Sequence, residues 1–124
     1  MIEPIDDMPG GAIGFRLTDE LTDADYADVL RPALRAAPES GEVRLLLVAE
    51  KGFDLGTLKT RFEELRRDPD LDLGHSKDWR RVAVVADAGF LIRQIFPAIA
   101  HTIPVDVKLF GTHDEAEAAA WVAA

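Results

Sequence analysis

Apolar residues fall into two kinds of run, short alternating ones near the ends of the chain and long unbroken ones in its middle. Ile2 to Asp6 and Ala12 to Leu17 alternate in part and are separated by Asp7-Met8-Pro9-Gly10-Gly11. Proline there presets one turn torsion and glycine supplies positive φ, so the two runs are expected to pair as an opening β-hairpin. Val43 to Ala49 (VRLLLVA) and Arg81 to Asp87 (RVAVVAD) are nearly continuous. Such runs belong to strands covered on both faces, as in parallel sheets, and the first is expected near the sheet centre. Val105, Val107 and Leu109 alternate with Asp106, Lys108 and Phe110, the pattern of a strand nearer an edge.

Between the strands the period lengthens to that of helices. Thr22 is placed to cap a helix with Asp23 and Asp25 in its first turn and Ala27, Leu30, Leu34 and Ala37 as its inner stripe. Pro32 predicts a kink near Asp28 to Pro32, and Pro38 to Glu42 ends the helix. A second helix is expected from about Gly56 to Asp68, with Leu58, Phe62 and Leu65 inside and Lys59, Glu63 and Arg67 as a solvated charged face. Asp68 to Asp78 reads as a polar loop, and Gly89 to His101 as a third helix with Pro97 near its end. That helix carries Phe90, Leu91, Ile92, Ile95, Phe96 and Ile99 on more than one face, so it needs more than one apolar neighbour. Thr112-His113-Asp114-Glu115 has the form of a capping box opening a final helix, packed back through Ala116, Ala120 and Trp121. The order β-β-α-β-α-β-α-β-α, with right-handed crossovers, predicts an α/β fold: a small mixed sheet of about five strands flanked by four helices.

A chain of 124 residues, 48% apolar, supplies one core, so residues 1–124 are read as one domain. Fourteen basic against 23 acidic side chains leave a formal charge of −9, which disfavours nucleic acid and anionic lipid surfaces. The absence of cysteine excludes disulfides, thiolate metal sites and a cysteine nucleophile. Met1 is followed by acidic, Pro/Gly-containing sequence instead of a basic, apolar leader, and no run reaches the roughly 18 apolar residues of a membrane span. A cytoplasmic protein without integral membrane association is expected.

Candidate chemistry is sparse. His75, His101 and His113 stand in separate segments with no HxH or HxxxH pair, which argues against a metal site. Ser40 and Ser76 are the two serines, and neither sits in a G-x-S-x-G elbow. Gly52-Phe53-Asp54-Leu55-Gly56 precedes a helix without the Lys-Ser/Thr of a phosphate loop, and Met8-Pro9-Gly10-Gly11 joins two strands; both read as turns. The basic residues Arg66, Arg67, Lys77, Arg80 and Arg81 are interspersed with acids. A non-catalytic protein with neither metal nor cofactor is the expectation.

Three stretches carry a family resemblance: Val43 to Val48 before the second helix, His75-Ser76-Lys77-Asp78-Trp79-Arg80-Arg81 running into Val82 to Asp87, and Phe110-Gly111 before a helix with Glu117-Ala118-Ala119-Ala120-Trp121. Through them the chain resembles the SpoIIAA-like family, whose fold is similar to STAS domains and anti-sigma-factor antagonists. The resemblance implies two functions. Anti-sigma-factor antagonists are phosphorylation-switched protein partners, with the target serine directly after an aspartate at the start of the second helix. Here Asp54 is followed by Leu55, and Thr57 is the nearest hydroxyl. The family is also similar to CRAL-TRIO lipid-carrier domains, which implies a nonpolar small molecule or lipid held near the second and third helices. Phe53, Leu58, Phe62, Phe90, Ile92, Ile95 and Phe96 are then its candidate lining. The alternatives are mutual packing of these side chains and a homodimer or regulator interface on the third helix. Burial is worth roughly 1.5 to 3 kcal/mol per large apolar side chain, so some cover is required.

Overall fold

The computed structural model describes residues 1–6, 8–36, 43–67, 79–86 and 106–124, the side chains of residues 55, 59, 62, 65 and 66 excepted. Strands β1 (Ile2–Pro4), β2 (Ile13–Leu17), β3 (Val43–Ala49), β4 (Trp79–Val85) and β5 (Asp106–Phe110) form one sheet in chain order. The opening hairpin pairs antiparallel, Ile2 with Leu17 and Pro4 with Phe15, and proline is tolerated because β1 is an edge. The other pairs are parallel, which makes the sheet mixed and puts β3 at its centre, as its unbroken apolar run predicts. The fourth strand begins two residues before the predicted Arg81, because Trp79 pairs with Val43 and is buried.

Alternation along the central strands feeds two cores. Leu45 and Leu47 of β3 with Val82 and Val84 of β4 face one side, where they join Leu30, Leu34 and Leu58 from the crossover helices. Leu46, Val48, Ala83 and Val85 face the other, beneath Ala118 and Val122 of the C-terminal helix. This two-sided cover is what continuous apolar strands require.

Helix α1 is built of three consecutive stretches, α-helical Asp23–Asp25, a π-helical turn Tyr26–Leu30 and α-helical Arg31–Ala36. Thr22 caps it as predicted, its hydroxyl accepting the Asp25 amide at 3.1 Å while the Asp25 carboxylate accepts the Thr22 amide at 3.1 Å. The predicted kink takes the form of the π-turn. Pro32 has no amide for the Asp28 carbonyl, and the Arg31 amide reaches back to the Tyr26 carbonyl. The widened turn also changes the buried stripe. Tyr26, Leu30 and Leu34 face inward, whereas Ala27, predicted inside, is exposed; Ala37 lies outside the described residues.

Helix α2 spans Leu55–Arg67, close to its predicted bounds, with Leu58 buried and Glu63 and Arg67 exposed. Helix α3 spans Glu115–Ala123 and corrects the predicted capping box. Its first residues turn instead, the Asp114 amide donating to the Gly111 carbonyl at 3.0 Å, and Asp114 at the N-cap makes no side-chain cap bond. Ala118 and Val122 are buried in place of the predicted Ala116 and Ala120, which are exposed; Trp121 is partly buried. The hairpin turn seats this helix: Gly10 has φ +61°, and a β-carbon there would meet the Ala123 carbonyl oxygen at 3.0 Å. The predicted loop 68–78 and third helix 89–101 lie outside the described residues.

Candidate functional site

In open sheets of parallel strands, ligands gather outside the carboxyl ends. Here β3 and β4 end at Ala49 and Val85, and a cleft of about 450 Å³ opens beyond them. Val48, Ala49, Phe53, Val85 and Ala86 supply its apolar floor, and Glu50, Lys51, Thr112 and Glu115 its polar rim. Gly52, at φ +87°, turns the chain from β3 toward α2 in a conformation that glycine adopts without strain.

A charged brace crosses the rim. Arg16 of β2 donates through Nη1 to Glu50 at 2.5 Å and through Nη2 to Glu115 at 2.6 Å, tying β2, the end of β3 and the first turn of α3 together. Hydrogen bonds to Glu115 and then Glu50 outweigh the cost of burial and hold the Arg16 guanidinium above its ordinary value, so it stays charged. All three side chains are about one-third to two-fifths exposed. Ion pairs at such exposure contribute on the order of 0–1 kcal/mol each, so the brace fixes orientation more than it stabilises the fold.

The start of α2 is fastened from below. The Asp54 carboxylate accepts the Gly56 amide at 3.0 Å, and the Asp54 amide donates to the carbonyl of Asp19 at 2.7 Å. Asp19 itself has φ +59°, an uncommon conformation for a residue other than glycine. The Thr57 hydroxyl donates to the Asp54 carbonyl at 2.6 Å and accepts the Leu21 amide at 2.9 Å. Arg61 completes the fastening: its Nε donates to the Leu21 carbonyl at 3.1 Å, and its Nη1 donates to Asp23 and Glu64. Thr57 is therefore a junction residue, engaged as donor and acceptor at once.

Of the predicted lining residues, Phe53 stands on the cleft floor with 8% of its surface exposed. Leu58 is 1% exposed and packed in the larger core, away from the described cleft lining. The Phe62 side chain and Phe90, Ile92, Ile95 and Phe96 lie outside the described residues. Arg16 and Glu50 were not singled out from the sequence, and Glu115 was read only as part of a capping box; the one usable signal for the brace was that the unbroken run of β3 stops at a charged residue. Among the described residues no group of three His, Cys, Asp or Glu side chains is placed to hold a metal ion, and no helix is long and apolar enough to cross a membrane.

The SpoIIAA-like family model matches residues 12–123, and the mixed five-stranded sheet with its flanking helices is consistent with that match. The chain belongs to the SpoIIAA-like family. The match takes in every strand but β1, and all three described helices of this SpoIIAA-like chain. Comparison with curated proteins and with solved structures returns no match.

Proposed function

We propose that this SpoIIAA-like chain is a single, non-catalytic interaction domain that engages a regulatory protein partner at the carboxyl-end cleft. The observation that carries the reading is the cleft itself, an apolar floor containing Phe53 within a charged rim held by Arg16. Core-and-rim anatomy of this kind suits an apolar anchor side chain from a partner, with the rim setting its orientation. A phosphate switch at Thr57 does not fit the same geometry, because esterifying the hydroxyl removes the proton it donates to the Asp54 carbonyl and sets the phosphate's negative charge against that carbonyl oxygen.

The test uses the absence of cysteine. A Lys51→Cys variant carries one photo-crosslinker on the cleft rim, and an Ala120→Cys variant carries it on the exposed side of α3. The expected result is a discrete cross-linked protein from position 51 that is missing from position 120. Equal labelling from both positions, or none from 51, would overturn the reading.

A second reading keeps the same floor but fills it with a nonpolar small molecule or lipid. The volume of about 450 Å³ favours it, since small-molecule sites run from about 300 to 1,000 Å³. Native mass spectrometry of gently purified protein decides between the two. Excess mass that leaves on denaturation and reappears in an organic extract selects the small molecule, and a bare chain or bare dimer selects the protein partner.

A further inference from the structure

The hairpin and the π-turn of α1 enclose an open groove of about 630 Å³. It lies where the margins of the two cores meet. Ile13 and Val29 are partly buried against the larger core, and Ile5 and Met8 against the smaller one. The π-turn matters here because it carries both Asp28 and Val29 onto the groove wall. Asp6 and Asp28 are the charged residues among the described lining, and both are exposed.

These two carboxylates differ from those of the cleft. Glu50 and Glu115 are paired with Arg16, and Asp23 and Glu64 with Arg61. Neither Asp6 nor Asp28 has a cation partner among the described residues. An apolar wall bordered by two unpaired acids is complementary to one kind of surface, apolar side chains flanked by lysine or arginine.

We propose that this groove docks a cationic amphipathic segment of another protein, with its apolar side chains against Ile5, Met8, Ile13 and Val29 and its basic side chains beside Asp6 and Asp28. The acidic chain as a whole steers such a segment inward, and the groove gives it a place to stop.

The full chain is titrated with an amphipathic Leu–Lys peptide while backbone amide shifts are followed by NMR. Saturable shifts centred on the hairpin and on Val29 to Ala33 are expected. Asp6→Asn with Asp28→Asn should weaken binding by about tenfold, because both local charge partners are lost. Glu63→Gln with Glu117→Gln removes the same net charge from exposed positions on α2 and α3 and should weaken binding less than about threefold at moderate salt, where distant charges are screened. Absence of binding, equal binding of a Leu–Glu peptide of the same pattern, shifts centred on the carboxyl-end cleft, or equal weakening by the two double variants would each overturn the proposal.

Discussion

The two faces of the sheet are covered by helices that are fastened in different ways. On the larger face, α1 and α2 lie over a core of leucines, aromatics and valines, and their first turns are fastened by Thr22 with Asp25 and by Asp54 with Thr57. On the smaller face, α3 lies over Leu46, Val48, Ala83 and Val85 and meets them with Ala118 and Val122. Its N-cap side chain makes no cap bond; Glu115 in its first turn pairs with Arg16, and its last turn is held as well, Arg44 donating to the Val122 carbonyl at 2.9 Å and Arg81 to the Trp121 carbonyl at 2.6 Å. Cations at a helix C-terminus oppose the negative end of its dipole. Helices delivered by crossovers thus start under the control of their own local side chains, whereas the short alanine-rich α3 is clamped onto the sheet by arginines from the strands.

The largest expected effect separates the faces by what each tolerates. Leu47→Ala on the larger face should destabilise by about 2–5 kcal/mol in chemical denaturation, since a 1%-exposed leucine leaves a cavity that its neighbours fill only in part. The smaller face should resist the opposite change. Ala118 is fully buried between α3 and the sheet, so Ala118→Leu forces the helix outward at a cost of about 1–3 kcal/mol. If Leu at 118 proved neutral, α3 would be loosely seated and the contrast between the faces would fail.

Next comes the clamp. The Arg81 guanidinium lies 4.9 Å from the Trp121 ring centroid as well as bonding its carbonyl, and Trp121 stands 6.0 Å from Phe110. Arg81→Met keeps the aliphatic stem and removes both interactions, with an expected loss of about 1–2 kcal/mol at this half-buried position. Arg81→Lys should recover only part of it, because an ammonium cannot stack on the ring and reach the carbonyl in the same geometry. Amide hydrogen exchange across α3 gives the check; protection unchanged in the methionine variant would show that the clamp is ornamental.

What was readable from sequence follows the range of the interactions concerned. The hairpin and the Thr22 cap rest on residues near one another in the chain, and dense apolar runs such as Val43 to Ala49 state their two-sided burial directly. The inner stripe of α1 was misplaced at Ala27 because a π-turn adds a residue that a regular 3.6 period does not anticipate, although Pro32 marked where to look. The start of α3 was misplaced for a different reason. Glu115 has the right spacing to bond back toward Thr112, yet its carboxylate is drawn to Arg16, 99 residues away. The same distance hid the cleft brace: Phe53 was visible as an aromatic in a turn, but nothing local couples Arg16 to Glu50 and Glu115.

The finest test of the contrast concerns the caps alone. Thr22→Ala should cost about 1 kcal/mol, the ordinary value for a lost N-cap bond, whereas Asp114→Ala, with no cap bond to lose, should stay within about 0.5 kcal/mol of the parent. Acid sharpens the distinction. Burial pushes the Asp25 carboxyl up, but the Thr22 amide and hydroxyl, with the nearby Met1 ammonium, more than offset it and hold the group below its ordinary value of 3.8. Folding therefore favours the ionised form, and the resulting stability is full above about pH 3.8 and is lost as pH falls through the lower folded-state value. Removing the Thr22 hydroxyl takes away part of that preference. The stability gap between Thr22→Ala and the parent should accordingly be constant near neutrality and narrow below pH 3.8. A Thr22→Ala gap that widened on acidification would mean that Asp25 is not held ionised by its cap.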